Sequence, residues 1–421
     1  MANSAPGPEG SLADWLRWQE ALHPQGIVLG LERVREVAGR LGLPAQGPRT
    51  LTVAGTNGKG SSTALLSEIY RAAGYRVGTY SSPHLLRYNE RVAVDGQALG
   101  DSGLLRGFKA VEAARGTVAL TYFEYGTLAA LWLFRELQVQ VQVLEVGLGG
   151  RLDAVNLVDA DGALITNIGL DHVEFLGHDR ESIAREKAGV LRRGQVAVCV
   201  DPQPPAMLES EAARIGASLW HLGHEYSWQR AGDAWNWHGP ERHYKKLPWP
   251  ALAGAIQLRN AAGVVALITR LQDRLPVAET AIRSGLVRVR LPGRFERRGA
   301  VILDVAHNVE AAGVLAENLV EAGVRGYQLV VGMLADKPVE GFLQALAPRA
   351  REVHAASLPP PRGLAGEALE RRVRSVVATA RIWPTVPEAF AAAQAAQTEG
   401  GVIVVCGSFL TVAAVAELRH G

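Results

Sequence analysis

The stretch "VAGTNGKGSSTALL", residues 53–66, decides how this chain is to be read. "RTLTVA" (49–54) leads into it as a short apolar strand, and a helical run leaves it between about Lys59 and Ala73. Strand, glycine-rich turn and helix start form the context a phosphate loop requires. The spelling departs from G-x-x-x-x-G-K-[ST], because Gly60 follows Lys59 and the hydroxyl arrives one place late at Ser61. Backbone N–H groups of Asn57, Gly58, Lys59 and Gly60 can face β- and γ-phosphates, helped by the partial positive charge of the helix start. Lys59 would neutralise the γ-phosphate, and Ser61 or Ser62 would reach Mg²⁺ or a phosphate oxygen. A plain corner with a solvated lysine is the bland alternative. Glycines, lysine and hydroxyls packed together favour a nucleotide loop.

Composition sets the outer bounds. The chain has 421 residues, above the ~100–200 of one ordinary domain, so two domains are expected. It is 48% hydrophobic and 20% charged, with a net charge of +2 and no basic run beyond pairs such as Lys245-Lys246 and Arg297-Arg298. That balance asks for neither a nucleic-acid partner nor an anionic membrane surface. Cys199 and Cys406 both sit in valine-rich runs, which suits buried thiols and a reduced, cytoplasmic setting. "MANSAPGPEGSLADWL" lacks the cationic start and apolar core of a signal peptide, and no apolar stretch is long enough to cross a bilayer.

Away from the loop the rhythm is strand then helix. "YRVGTY" (75–80), "VQVQVLEV" (139–146), "GALITNI" (162–168) and "QVAVCV" read as strands. "TYFEYGTLAALWLFREL" (121–137) and "RESIAREKAGVLRRG", the latter closed by Gly194, read as helices. Such alternation implies a mainly parallel sheet covered by helices. "EYSWQRAGDAWNWHG" breaks the rhythm with alternating aromatics about a Gly-Asp turn, a hairpin signal and hence a small antiparallel β subdomain. "RVRLPGRFERRG" (288–299) reads as a hinge, beyond which "AVILDVAH", "YQLVVGML", "REVHAAS" and "GVIVVCGS" restart the α/β pattern. Domains of 1–292 and 293–421 follow, the second Rossmann-like but without a G-x-G-x-x-G after its first strand.

Several polar residues stand where strands end. Glu145 is in phase with Val139, Val141 and Val143, so it belongs to the buried row and points into the crevice where α/β ligands bind. There it could hold Mg²⁺ beside phosphates; the plainer reading is a salt-bridged strand end. His172 in "TNIGLDHVEFLG" follows an apolar strand and precedes a loop, Ser82 in "TYSSPHL" ends a third strand on the same edge, and the group carries more weight together than singly. Lys187 lies four residues after Ile183 and three and four before Val190 and Leu191, on the apolar helix face. Burial lowers an amine's pKa, and a free amine can add CO₂ to become a carbamate. An ion pair, with Glu186 as a candidate partner, is equally open.

Together "GTNGKGS", "GYRVGTYSSPHLLRYNERV", "LTYFEYGTLAALWLF", "LEVGLGGRLDAVN", "LDHVEFLG", "RESIAREKAG", "LPGRFE", "LDVAHN", "GMLADK" and "CGSF" resemble the Mur-ligase-type amide ligases, specifically the folylpolyglutamate synthase/dihydrofolate synthase family. The likeness runs from about residue 10 to the C-terminus. It implies a Mur-ligase-like P-loop ATPase domain with a small antiparallel β subdomain, followed by a Rossmann-like α/β domain. It also implies ATP, two Mg²⁺ sites held by residues like Ser82, Glu145 and His172, a carbamylated Lys187 at the second, and a monovalent cation. Asn260, Arg294 and Asp304 match nucleotide-contacting positions; His307, Asn308 and Ser408 match positions near the phosphate and the incoming glutamate. A pterin site is implied at Gly26, Ile27, Val28 and Leu29, at Thr121, Tyr122, Phe123 and Glu124, and at Leu152, Asp153 and Ala154. Gly26 to Val28 match loosely, and Val155 falls at a variable place.

The resemblance implies a reaction: ATP phosphorylates a carboxylate of dihydropteroate or a folate, and the amine of L-glutamate displaces the phosphate. Lys59, Lys187 and His307 are the expected catalytic residues, in a monomer without nucleic-acid or membrane partners. Another Mur-type amino-acid ligase and a nucleotide-operated switch are the rival readings. The pterin-like 121–124 stretch speaks against the first, and the lack of an evident γ-phosphate response element against the second.

Overall fold

The computed structural model describes residues 5–7, 9–23, 26–43 and 47–418. The chain divides into two compact units, passing from the first to the second at Val289–Arg290. Two short pieces, Leu85–Arg87 and Leu252–Gln257, group with the second unit.

The first unit is built on strands β1 (Arg49–Ala54), β2 (Val77–Tyr80), β3 (Val92–Val94), β4 (Gln97–Ala98), β5 (Val141–Glu145), β6 (Gly162–Ile165), β7 (Val196–Cys199) and β8 (Ser218–His221). Their order is β4-β3-β2-β5-β1-β6-β7-β8. All pairings are parallel except β2–β3 and β3–β4. β1 lies at the centre, with Val53 opposite Glu145 and Ala54 opposite Ile165, so the ends of β1, β5 and β6 share one edge. β5 is buried along its whole length, as expected of a strand covered on both faces.

The helix Lys59–Ala72 follows the phosphate-type loop, and Tyr122–Glu136 begins with a capping box in which Thr121 and Glu124 satisfy each other's backbone N–H groups. The hairpin is present as β9 (Ser227–Ala231) and β10 (Ala234–His238), and β11 (His243–Pro248) completes a three-stranded antiparallel sheet. Trp235 and Trp237 are fully buried, and Trp237 Nε1 donates to Ala262 O, fixing this small sheet to the helix Ala255–Arg270.

One helix is shorter than its sequence pattern. Arg180–Ala188 stops before Gly189 rather than running to Gly194. Tertiary contacts take its last groups: Arg151 N–H donates to Glu186 O at 2.8 Å, and Asn156 Nδ2 donates to Gly189 O at 3.0 Å. A Cβ on Gly189 would lie 2.2 Å from Arg151 Cβ, so this close crossing requires glycine.

The second unit holds β12 (Glu296–Arg298), β13 (Val301–Leu303), β14 (Tyr327–Val331), β15 (Ala350–Ala356), β16 (Arg381–Trp383) and β17 (Val402–Cys406), in the order β12-β13-β17-β14-β15-β16. Only β12 is antiparallel. Apolar cores lie on its faces, one around Leu315, Leu329 and Phe342, another around Val330, Phe390 and Val412.

Candidate active site

The loop at 55–61 is fastened by the segment after β6. Thr56 N–H donates to Asn167 O, Asn57 N–H to Asn167 Oδ1, and Thr166 Oγ1 donates to Asn57 O. Asn57 N–H is therefore spent on the protein, a correction to its place among the anion-facing donors. Gly58, Lys59, Gly60 and Ser61 carry the helix-start N–H groups that no helical carbonyl can reach. Gly55 (φ 150°) and Gly58 (φ 86°) are needed as glycines: added Cβ atoms would lie 1.8 Å from Thr166 Oγ1 and 2.9 Å from Asn260 Nδ2. The second figure also places Asn260, 2% exposed, directly against the loop. Lys59 Nζ donates to the carbonyls of Gly55 and Thr56 at 3.1 and 3.0 Å, holding its charge at the loop. Ser61 and Ser62 are both buried.

Glu145 is 4% exposed at the end of β5 and accepts the Ser82 N–H at 3.3 Å, so these two expected partners do meet. His172 begins a one-turn helix, Val173–Leu176, with φ 50°, and its Nε2 lies 4.0 Å from Asp171 Oδ2. Among the described residues no three His, Cys, Asp or Glu side chains form a ready-made metal cage. The buried Glu145 carboxylate with Ser82 against it, on the edge where β1 ends, fits Mg²⁺, which takes one or two protein carboxylates and fills its shell with phosphate and water.

Lys187 is 3% exposed. Burial first, and then the charge of Lys59, push its amine down to about 7, against the pull of Asp171 and Asp153. Glu186 is not its partner: that carboxylate accepts Arg151 Nη2 and Nε at 2.8 and 3.0 Å. The two side chains leave adjacent positions of one helix, and the crossing Arg151 segment captures the outer one. Among the described residues no carboxylate lies within ion-pair distance of Lys187. A free amine can therefore be present at neutral pH. Asp153, 3% exposed, is pushed up to about 6 by burial, opposed by the N–H groups of Leu148, Val155 and Gly147 and by Lys59. Sequence spacing missed both Asp171 and the loop-fastening Thr166 and Asn167; polar residues directly after the apolar run 162–165 were the available signal.

The three stretches assigned to pterin come together. Gly30 N–H donates to Leu152 O at 3.3 Å, Arg33 joins Val28 O to Glu124, and the ring of Phe123 lies on the bare backbone of Gly147. Tyr122 stacks its face under Arg91, whose Nε donates to His84 Nδ1 at 2.8 Å. Burial and then Arg91 push His84 down to about 4, which keeps that imidazole neutral. Glu124 is 3% exposed and Ile27 46% exposed, so the first is enclosed and the second open.

In the second unit Asp304 accepts the N–H groups of Phe295 and Ala306, each at 2.8 Å. Burial raises its carboxyl, with Arg294 opposing. Arg294 lies over the Phe409 ring at 5.2 Å, and the His307 ring is 6.2 Å from the same ring. Asn308 Oδ1 accepts Ala311 N–H, starting the helix Val309–Glu321. Ser408 Oγ accepts Thr411 N–H at 3.1 Å at the start of Phe409–Leu418.

Comparison with known proteins accounts for this arrangement. Residues 53–246 match the Mur ligase middle domain and residues 293–409 the Mur ligase glutamate ligase domain. The dihydrofolate synthase/folylpolyglutamate synthase of Escherichia coli is 44% identical over 98% of this chain and 96% of its own. That of Haemophilus influenzae is 37% identical over 96% of each. Among solved structures, the Escherichia coli enzyme with DHPP and ADP superimposes with a TM-score of 0.93 at 44% identity, covering 99% of both chains. The bifunctional enzyme of Yersinia pestis with AMPPNP and Mn ion gives 0.91 at 44% identity, over 99% of this chain and 100% of that one. Family models, identity and superposition agree: the chain belongs to the dihydrofolate synthase/folylpolyglutamate synthase family of Mur ligases.

Proposed function

We propose that the protein is an ATP-dependent ligase that joins L-glutamate to dihydropteroate and then to the γ-carboxylate of tetrahydrofolates. The observation that carries this reading is the buried Lys187 amine, with Asp153 and Asp171 around it, beside the Lys59 loop. A nucleotide switch has no use for an enclosed amine held near neutrality, whereas a site that stabilises a transferring phosphoryl group does.

The free carboxylate of the acceptor attacks the γ-phosphorus of ATP, and ADP leaves, giving an acyl phosphate. Lys59 and the N–H groups of Gly58 to Ser61 hold the phosphates and offset the charge that spreads over the transferred group. Mg²⁺ held by Ser82, Glu145 and His172 would supply further positive charge there, with a carbamylated Lys187 at a second ion and a monovalent cation alongside. The glutamate amine then attacks the acyl carbon, loses a proton, and phosphate departs with its electron pair. His307 would orient that amine, and Arg294, Asp304 and Asn260 would hold the nucleotide. Phe123 and Asp153 supply an aromatic surface and a hydrogen-bonding carboxyl suited to a pterin. Asn308 and Ser408 serve this scheme as helix caps that shape the glutamate end. The enzyme would act as a monomer in the cytoplasm; the buried, unpaired Cys199 and Cys406 support a reducing compartment. No helix among the described residues is long and apolar enough to cross a membrane.

The test is ADP release by the purified chain with L-glutamate, comparing dihydropteroate with tetrahydrofolate. Release should require glutamate plus either acceptor. Activity on tetrahydrofolate alone would remove the first addition, and release that ignores both acceptors would return the chain to the switch reading.

A further inference from the structure

Glu124 is an unusual member of a binding surface, because both oxygens of its carboxylate are engaged by the protein. Oε2 accepts the Thr121 N–H at 2.8 Å and Arg33 Nε at 3.4 Å. Oε1 accepts Arg33 Nη2 at 2.7 Å. The same Nη2 donates to the carbonyl of Val28 at 3.1 Å. One guanidinium thus spans the gap between the segment 26–29 and the first turn of the helix Tyr122–Glu136.

That span matters because the segment 26–29 belongs to no helix or strand. Without a ladder of backbone bonds its place depends on individual contacts, and Ile27 at 46% exposure brings little burial. Arg33 leaves the first turn of the helix Glu32–Arg40, and its side chain is 28% exposed. The planar fork of a guanidinium can serve a carboxylate and a carbonyl at once; an ammonium cannot reproduce that geometry. Gly30 N–H to Leu152 O brings the third stretch to the same turn.

We propose that Arg33 is the positioning residue of the first-addition site: it holds residues 26–29 against Glu124 so that a pterin finds its pocket formed. This rests on the reading that 26–29, 121–124 and 152–154 surround the pterin. Arg33 acts through Val28 and Glu124, without touching the reacting atoms. Its loss costs acceptor binding and leaves phosphoryl transfer intact. Thr121 continues to cap its helix through the Glu124 N–H, so the helix itself survives.

The experiment is steady-state kinetics of both additions for Arg33→Met, Arg33→Lys and Phe123→Ala, each with a thermal melt. Arg33→Met should raise KM for dihydropteroate by about tenfold, the worth of one charge-assisted hydrogen bond, with kcat and the KM for ATP within about twofold. Arg33→Lys should recover part of that KM, since it restores one of the two contacts. An unchanged dihydropteroate KM in Arg33→Met beside a raised one in Phe123→Ala overturns the positioning role and spares the pterin reading. Unchanged KM in both variants removes the pterin reading and the positioning role together. A kcat loss shared by both additions, with KM unmoved and a lowered Tm, marks Arg33 as a general structural brace and also overturns the proposal.

Discussion

The carboxyl ends of the two parallel sheets carry similar polar residues, yet the two sets are satisfied in different ways. In the second unit, Asp304 closes two backbone N–H groups, Asn308 starts a helix and Ser408 starts another. Each finds its main partner within a few residues or one strand away. In the first unit, Lys187 is enclosed with no carboxylate of the described residues at ion-pair distance, and Asp153 is buried with its carboxyl pushed up to about 6. Buried charge left without a close counter-ion costs stability, and that cost is borne where a ligand would later supply the missing charge. The contrast separates a rim whose polar side chains are satisfied as folded from a crevice whose enclosed amine is not.

Removal of the enclosed amine is the most severe change. Lys187→Ala should lower ligase turnover by about a hundredfold or more, the scale of losing a preorganised charge at a phosphoryl-transfer site. Added short carboxylates should restore part of it by standing in for a carbamate. Full activity in the plain alanine variant, read by ADP release, would show Lys187 to be structural.

A pH series sharpens the same point through stability. Burial holds the folded-state pKa of Lys187 down at about 7, against 10.5 for an ordinary lysine, so the native state gives up this proton first. Between those values the unfolded chain binds more protons, and stability must rise with pH. Relative to Lys187→Met, the wild-type chain in CO₂-free buffer should gain roughly 2–4 kcal/mol between pH 7 and 10. Urea midpoints of the two proteins measure this, and a flat difference would mean that the amine is hydrated.

The smallest effect belongs to the finished rim. Asn308→Ala removes the Oδ1 that accepts Ala311 N–H and should cost about 1 kcal/mol of the second unit's stability. Glutamate KM should stay within about twofold, since a cap shapes the helix start without touching substrate. A tenfold rise in that KM would make Asn308 a substrate contact and blur the contrast.

Much of the candidate site was legible because its signals are local. "VAGTNGKGSSTALL" needs only its own spacing to show strand, glycine turn and helix start, and Gly60 marks a family spelling instead of a damaged loop. The alternation that ends at Glu145 put that carboxylate in the crevice, and the helical phase of Lys187 turned it inward. Other features depend on residues far along the chain. Asn57 N–H is lost to Asn167, Glu186 is taken by Arg151, and the helix ends at Ala188 because the 150–156 segment crosses it. Arg33 belongs with these: its helical phase says nothing of Glu124, which is 91 residues away.

By itself, then, the sequence determined the α/β rhythm, the phosphate loop, the inward faces and the family. Tertiary structure decided the strand order, the choice among available partners, and the charge state of the enclosed groups. The reason is physical: periodicity and turn chemistry are set by neighbouring residues, whereas desolvation and hydrogen-bond competition are set by whatever the fold brings within a few ångströms.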